Sequence, residues 1–124
     1  MVETSFNVTS STRTVALEIV KELGTKYKTF QTAMVKFWLE GDHKIAPRLE
    51  ITSYTDPEYV RKDYREHILL EDEDNEMIEY YAEKLGVTKS IILFQAMIDF
   101  TIYWTGRLWT REEYTEKFKY TERD

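Results

Sequence analysis

Two stretches with helical periodicity in this 124-residue chain each end in a Leu-Gly pair, at Leu23-Gly24 and at Leu85-Gly86. A glycine directly after the last apolar residue is typical of a helix C-terminus, because the backbone often turns left-handed there. A second helical stretch follows each pair, and a short extended stretch precedes each first helix. The sequence therefore predicts that one order of elements (strand, helix, turn, helix) occurs twice.

The first half has the clearer pattern of the two. Phe6 and Val8 alternate with polar residues, which predicts a half-buried strand over residues 4–9. Apolar residues then recur every three or four positions over residues 15–23, which predicts an amphipathic helix. A second helix is marked by apolar residues from position 30 onward and is expected to end near Gly41.

The middle of the chain is less periodic. Asp56-Pro57-Glu58 is a helix-start signal and predicts a short helix from Pro57 toward Arg65. Residues 66–70 can continue that helix or form a short strand, and periodicity does not decide between the two.

Three further helices are predicted toward the C-terminus. One begins within the acidic run Glu71–Glu76, because acidic side chains favour the positive end of the helix dipole, and it ends at Gly86. The next, Ile91–Trp104, is apolar around most of its circumference and belongs in the centre of a core. A capping box at Thr110 predicts a terminal helix to about Tyr120.

The two halves also agree in part residue by residue. Lys21-Glu22-Leu23-Gly24 corresponds to Glu83-Lys84-Leu85-Gly86. If Val87 is one extra residue, Ala33-Met34-Val35 corresponds to Ala96-Met97-Ile98 and Phe37 to Phe100. The alternative is a chance agreement between two ordinary helical hairpins.

Composition excludes several classes of function. The chain has no cysteine, which excludes disulfides, thiol catalysis and cysteine-based metal sites. With two histidines, a His-rich metal site is excluded as well. No Ser/His/Asp, phosphate-loop or dinucleotide motif is present, so we expect a non-enzyme without metal or cofactor, although paired-carboxylate hydrolysis stays open.

The net charge of −6 is unevenly distributed. Residues 1–62 hold nine Lys/Arg and eight Asp/Glu, whereas residues 63–124 hold eight and fifteen. Strong non-specific binding to nucleic acid is therefore not implied, although a basic patch on one face remains compatible with this balance. No apolar signal core or bilayer-spanning stretch is found in the sequence, so a soluble cytoplasmic protein without membrane contact is expected.

The second half resembles a ribbon-helix-helix unit of the MetJ/Arc/CopG family. Leu85-Gly86-Val87-Thr88-Lys89-Ser90 is similar to the turn Leu-Gly-Val-Ser-Arg-Ser of that family, and Met77–Lys84 is similar to its first helix. The first half resembles the same unit with one residue missing from the turn. The resemblance implies a mainly α fold with a short two-stranded antiparallel ribbon, in one compact domain.

The boundaries of the implied units follow from the same comparison. The tandem ribbon-helix-helix-like units would cover residues 1–41 and 66–106, joined by a connector with a short helix (42–65) and followed by a C-terminal helix (107–124). Such units cannot bury their apolar faces alone. The chain would therefore be a monomer with an intrachain pseudo-dimer, or a homodimer.

The resemblance also implies a sequence-specific regulator of transcription, most simply a repressor, that inserts its ribbon into the major groove of double-stranded DNA. The implied base contacts are Ser5, Asn7, Thr9, Arg65 and His67. The implied phosphate contacts are Thr88, Lys89 and Ser90, with Lys26, Lys28 and Thr29 as looser equivalents in the first half. A solvated face of an edge strand is the competing interpretation of Ser5, Asn7 and Thr9.

The acidic run supports a second hypothesis. The carboxylates of Glu71, Asp72, Glu73, Asp74 and Glu76 would repel a phosphate backbone. They could instead occupy a basic groove of a protein partner, as in a small acidic inhibitor of phage or plasmid type that mimics nucleic acid. A solvated helix start is the simpler interpretation of this run.

Overall fold

A computed structural model describes residues 1–119 of the chain. The described elements follow in the order β1 (Val2–Val8), α1 (Ser10–Leu23), α2 (Tyr27–Leu39), a 3-10 turn (Pro47–Glu50), β2 (Tyr64–Leu70), α3 (Asp72–Leu85), α4 (Lys89–Leu108) and α5 (Arg111–Phe118). The prediction of a mainly helical chain with a two-stranded antiparallel sheet and a C-terminal helix is confirmed. The predicted end of that helix, near Tyr120, lies outside the described residues.

β1 and β2 pair in antiparallel register and form a two-stranded ribbon. One face of the ribbon turns inward and buries Phe6, Val8, Ile68 and Leu70. Side chains alternate between the two faces of a strand, so a slip of one residue would expose all four. Residues 66–70 are therefore strand rather than helix, and the strand begins at Tyr64, inside the predicted connector.

Equivalent elements of the two halves begin at equal spacing along the chain. Val2 and Tyr64 begin the strands, Ser10 and Asp72 the first helices, and Tyr27 and Lys89 the second helices, each pair 62 positions apart. The predicted extra residue at Val87 is wrong. In the structure Val87 corresponds to Thr25, because the turn between α1 and α2 and the turn between α3 and α4 hold the same number of residues.

Burial along the second helices is compatible with this spacing. Buried residues of α2 and α4 coincide at 62 positions, as in Phe30 with Ile92 and Trp38 with Phe100. Because α4 is buried around most of its circumference, a spacing of 63 also pairs buried residues, as in Phe30 with Leu93 and Trp38 with Thr101. The equal length of the two turns therefore decides the alignment.

The two halves interlock through their second helices. α4 packs along β1, whereas α2 packs along β2, so each strand is covered by a helix of the other half. α2 and α4 also pack against each other, and the Phe100 ring contacts the rings of Phe30 and Phe37 at centroid distances of 5.0 and 5.2 Å. Neither half would bury its apolar residues without the other.

Both first helices end in a glycine with a left-handed backbone. Gly24 has φ of 65° and Gly86 has φ of 68°, and each donates its N–H to carbonyls of the preceding turn. A side chain at such a position strains the backbone.

We expect Gly86→Ala to lower the free energy of unfolding by about 1 kcal/mol, because alanine is strained at this φ. Gly106→Ala is the matched control. It lies within α4, where an added Cβ meets open space, and it should raise stability by about 0.5–1 kcal/mol. Urea denaturation would measure both, and equal effects of the two variants would contradict the assigned conformations.

The predicted short helix from Pro57 toward Arg65 is wrong. The side chain of Asp56 accepts a hydrogen bond from the N–H of Glu58 at 2.8 Å, and the N–H of Tyr59 donates to the Asp56 carbonyl at 3.0 Å. These bonds make a tight turn, which the same residue types favour as readily as a helix start. The helical turn of the connector instead spans Pro47–Glu50 and buries Leu49.

α5 begins as its sequence predicts. Thr110 accepts a hydrogen bond from the N–H of Glu113, and the Glu113 carboxylate accepts one from the N–H of Thr110, which completes the capping box. Phe118 anchors the helix to the core against the rings of Trp109 and Tyr114.

No single helix among residues 1–119 is both long enough and apolar enough to cross a bilayer. α3 and α4 have the required length and apolar character only when they are taken together, and they are bent by 106° relative to each other.

Candidate nucleic-acid interface

The face of the ribbon opposite the core carries three cross-strand pairs. Glu3 faces Leu69, Ser5 faces His67 and Asn7 faces Arg65. We call these six residues the outer face. Glu3, Arg65 and His67 are exposed and the other three are half-buried. A two-stranded ribbon with one apolar face and one polar face thus lies at the surface.

The polar side chains of the outer face keep their hydrogen-bonding groups free. The side chains of Ser5, Asn7, Arg65 and His67 make no hydrogen bond or ion pair with any residue in the described range 1–119. Only backbone atoms at these positions have partners. The side chains therefore remain available to an external ligand.

Four of the five predicted base-contacting residues lie together on this face, and Thr9 does not. Thr9 follows β1 and is the N-cap of α1, where its hydroxyl accepts a hydrogen bond from the N–H of Thr12 at 3.2 Å. Its assignment as an outward strand residue is wrong, because the strand ends at Val8 and the Thr9 hydroxyl caps the N-terminus of α1.

The N-terminus of α4 lies beside β1. Thr88 caps the helix by accepting from the N–H of Ile91, and the Lys89 ammonium donates to the side-chain carbonyl of Asn75. The hydroxyl of Ser90 accepts from the backbone N–H of Asn7 at 2.9 Å. The three predicted phosphate contacts thus flank the ribbon, and each already has a partner within the fold.

The N-terminus of α2 lies beside β2. The Gln31 amide donates to the carbonyl of His67 at 2.9 Å and holds the edge of the strand, much as Ser90 holds β1. Lys26 is the N-cap without a side-chain cap, Lys28 follows, and neither ammonium group has a hydrogen bond or ion pair within residues 1–119. The first turn of α2 has no acidic residue.

The equal spacing of the halves sets the correspondence at this end. Lys28 lies 62 positions before Ser90, and Lys26 lies 62 before Thr88. Thr29 corresponds to Ile91, and Lys89 corresponds to Tyr27. Thr29 is exposed in the first turn of α2, and its contact with phosphate stays a prediction.

An ionic cluster around the buried carboxylate of Glu66 supports the ribbon from beneath. Glu66 points inward opposite Phe6, and its carboxylate accepts from the Arg13 guanidinium at 3.1 Å. Burial, together with the neighbouring Glu66 carboxylate, raises the pKa of the Tyr27 phenol well above its ordinary value. The guanidinium of Arg13 also lies 4.3 Å from the centre of the Tyr64 ring. The cluster joins α1, α2 and β2.

The acidic run lies at the end of the ribbon formed by Glu3 and Leu69. As predicted, α3 begins within the run, with Glu71 as N-cap and three acids in the first turn. The Lys36 ammonium donates to Asp74 at 3.0 Å and to Glu71 at 3.1 Å, and these hydrogen bonds raise the pKa of Lys36. Part of the negative charge is thus neutralised within the fold.

Sequence reasoning missed two residues of this region. Glu3 was left out because the strand was expected to begin at residue 4, although Val2, Thr4 and Phe6 continue the alternation toward the N-terminus. Gln31 lies within an apolar helix pattern, and only the packed structure shows that it bonds to β2.

In comparisons with known proteins, no protein-family model, curated protein or solved structure matches the chain.

Proposed function

We propose that this protein is a sequence-specific double-stranded DNA-binding regulator, acting as a repressor, built from two ribbon-helix-helix-like units paired within one chain. The observation that carries the proposal is the outer face, a surface ribbon whose polar side chains have no partner among residues 1–119. A two-stranded ribbon has the width to enter the major groove, where base edges present a distinct pattern for each base pair.

The residues of the outer face suit base recognition. Asn7 can make two hydrogen bonds to adenine, and Arg65 can make two to guanine. Ser5 and His67 add groups that donate or accept hydrogen bonds. The apolar inner face fixes the direction of these side chains, which reduces the entropy lost on binding.

The helix N-termini on either side suit the DNA backbone. Free N–H groups of a helix N-terminus attract phosphate, and Lys26 and Lys28 add positive charge beside β2. The net charge of −6 opposes non-specific binding, so we propose that affinity depends on a correct base sequence. A protein bound in the groove would block access by other proteins, which is the simplest route to repression.

The alternative function, inhibition of a basic protein partner through the acidic run, has less support. Glu71 and Asp74 already bind Lys36. The partner would have to compete with that contact, or bind only the remaining carboxylates.

Selection from a random duplex library, followed by fluorescence anisotropy, tests the proposal. We expect one enriched sequence, on which Arg65→Ala raises Kd about 10- to 100-fold because a bidentate base contact is lost. Lys21→Ala removes the same charge from the far end of α1 and should change Kd less than about twofold. If no duplex is enriched even at low salt, the proposal is wrong.

A salt titration examines the backbone contacts separately. The double variant Lys26→Ala/Lys28→Ala should weaken binding to all duplexes alike and reduce the slope of log K against log salt by about two, since each phosphate contact contributes about 0.9. The control Lys21→Ala/Lys84→Ala removes two positive charges from the last turns of α1 and α3. An unchanged slope in the first double variant would exclude Lys26 and Lys28 as phosphate contacts.

A further inference from the structure

The outer face has an internal symmetry in its backbone. In the two units proposed above, residues 62 positions apart occupy equivalent places, so the pair Ser5–His67 lies at the centre and maps onto itself. The pair Glu3–Leu69 then maps onto the pair Asn7–Arg65. The two ends of the ribbon are therefore equivalent in backbone position.

The side chains at equivalent positions differ in chemistry. Glu3 carries a negative charge where Arg65 carries a positive one, and Leu69 is apolar where Asn7 donates and accepts hydrogen bonds. Even at the centre a hydroxyl in Ser5 corresponds to an imidazole in His67. The symmetry of the backbone is thus broken at every position of the outer face.

These differences assign different bases to the two halves of a DNA site. Arginine and asparagine recognise guanine and adenine, whereas a carboxylate accepts from the amino group of cytosine and an apolar side chain contacts only the thymine methyl. A palindromic site presents the same bases to both ends of a ribbon. One end of this ribbon would always meet bases that its side chains do not match.

The helices beyond the two ends of the ribbon also differ in charge. Beyond the Asn7–Arg65 end, α1 begins without an acidic residue in its first turn, and a cavity of about 630 Å³ beside it is lined by residues that include Ser10, Arg61 and Asp63. Asp63 accepts two hydrogen bonds from Ser10, each 2.7 Å long, which hold the pKa of its carboxyl below the ordinary value. Arg61 has no ion pair within residues 1–119.

The other end holds more carboxylates, part of which are paired. Beyond Glu3 and Leu69, α3 begins with Asp72, Glu73 and Asp74. The amino group of Met1 pairs with Asp72 and Lys36 pairs with Asp74, whereas Glu73 has no ion pair within residues 1–119. A phosphate backbone that follows the groove past this end meets the carboxylates of Glu3 and Glu73, whereas at the opposite end Asp63 lies beside a first turn of α1 that has no acidic residue.

We infer that the duplex recognised by this chain is not a palindrome, and that the half-site beneath Asn7 and Arg65 is read more strictly than the half-site beneath Glu3 and Leu69. The inference rests on the proposed function. It names the class of operator: a single asymmetric site bound by one chain, in contrast to the inverted repeat that two identical halves would require.

The selection experiment on the wild-type protein tests the inference separately from the function. An enriched sequence without dyad symmetry, whose single-base changes weaken binding mainly on one side of the centre, supports it. An enriched inverted repeat overturns the inference and leaves the proposed function standing. Enrichment of no duplex overturns the proposed function and the inference together.

A symmetrised variant provides the stricter test. Glu3→Arg/Leu69→Asn gives both ends of the ribbon the same base-reading side chains. Glu3 is exposed and Leu69 is half-buried on the outer face, so folding should persist and can be checked by thermal unfolding. We expect this variant to bind an inverted repeat of the strictly read half-site about tenfold or more tighter than the wild type does. The control Glu3→Lys/Leu69→Ala makes the same change of charge and removes the same leucine side chain, but it lacks the guanidinium fork and the amide, so it should gain much less. Equal gains in the two variants would overturn the inference.

Discussion

Phe6→Ala is expected to lower the free energy of unfolding by about 3–5 kcal/mol, the usual cost of removing a buried aromatic ring. Phe6 is 1% exposed on the inner face of β1, between the ribbon and the helices. A loss of this size is a large part of the stability of a small domain. Urea denaturation followed by circular dichroism would measure it, with Phe6→Leu as a milder variant if Phe6→Ala does not fold.

The neighbouring residue on the opposite face is the matched control. Ser5→Ala should change stability by less than about 0.5 kcal/mol, because its half-buried side chain is small, lies on the outer face and makes no hydrogen bond within residues 1–119. If Ser5→Ala destabilised the protein as much as Phe6→Ala, the assignment of the two faces of the ribbon would be wrong.

Arg13→Ala is expected to cost about 2 kcal/mol at neutral pH, less than the roughly 3–5 kcal/mol of a pair buried on both sides. Its guanidinium, 30% exposed, is the ion-pair partner of Glu66, whose side chain is 5% exposed beneath the ribbon. Removing one partner leaves a buried carboxylate without its counter-charge, which is far more costly than the pair itself is stabilising. The midpoint of urea denaturation would report the loss.

A volume-matched pair of variants separates this effect from a simple loss of packing. Arg13→Met retains most of the side-chain volume but leaves Glu66 unpaired, whereas Arg13→Met/Glu66→Met removes both charges, so the double variant should be more stable than Arg13→Met and close to the wild type. If the double variant were no more stable than Arg13→Met, the unpaired carboxylate would not be the cause of the loss.

Local patterns predicted the elements whose signals are local. Alternation of apolar and polar residues identified β1, helical periodicity identified α1 to α4, and the capping box at Thr110 identified the start of α5. Gly24 and Gly86 marked two helix ends because the left-handed backbone there favours one residue type. Each of these features depends on residues within a few positions of one another.

Features that depend on tertiary contacts were predicted less well. Residues 66–70 could not be assigned from periodicity, because β2 is defined by its pairing with β1, about sixty residues away. Asp56-Pro57 suits a turn as well as a helix start, and no apolar face follows to favour the helix. Matching of residue types inserted a gap at Val87 that the equal length of the two turns excludes.

In the candidate site, too, local patterns predicted some features, whereas others depend on tertiary contacts. The outward direction of Ser5, Asn7, Arg65 and His67 follows from alternation alone and agrees with the structure. The burial of Glu66 and the capping role of Thr9 depend on Arg13 and on the exact end of the strand. Residue type alone indicates neither.

An NMR titration of the ¹⁵N-labelled protein with its selected duplex tests the central claim most directly. We predict that the largest amide shifts fall on the two strands, around Ser5 and His67, and on the first turns of α2 and α4. Shifts confined to the acidic start of α3 or to α5, with the strands unchanged, would contradict recognition of DNA by the ribbon.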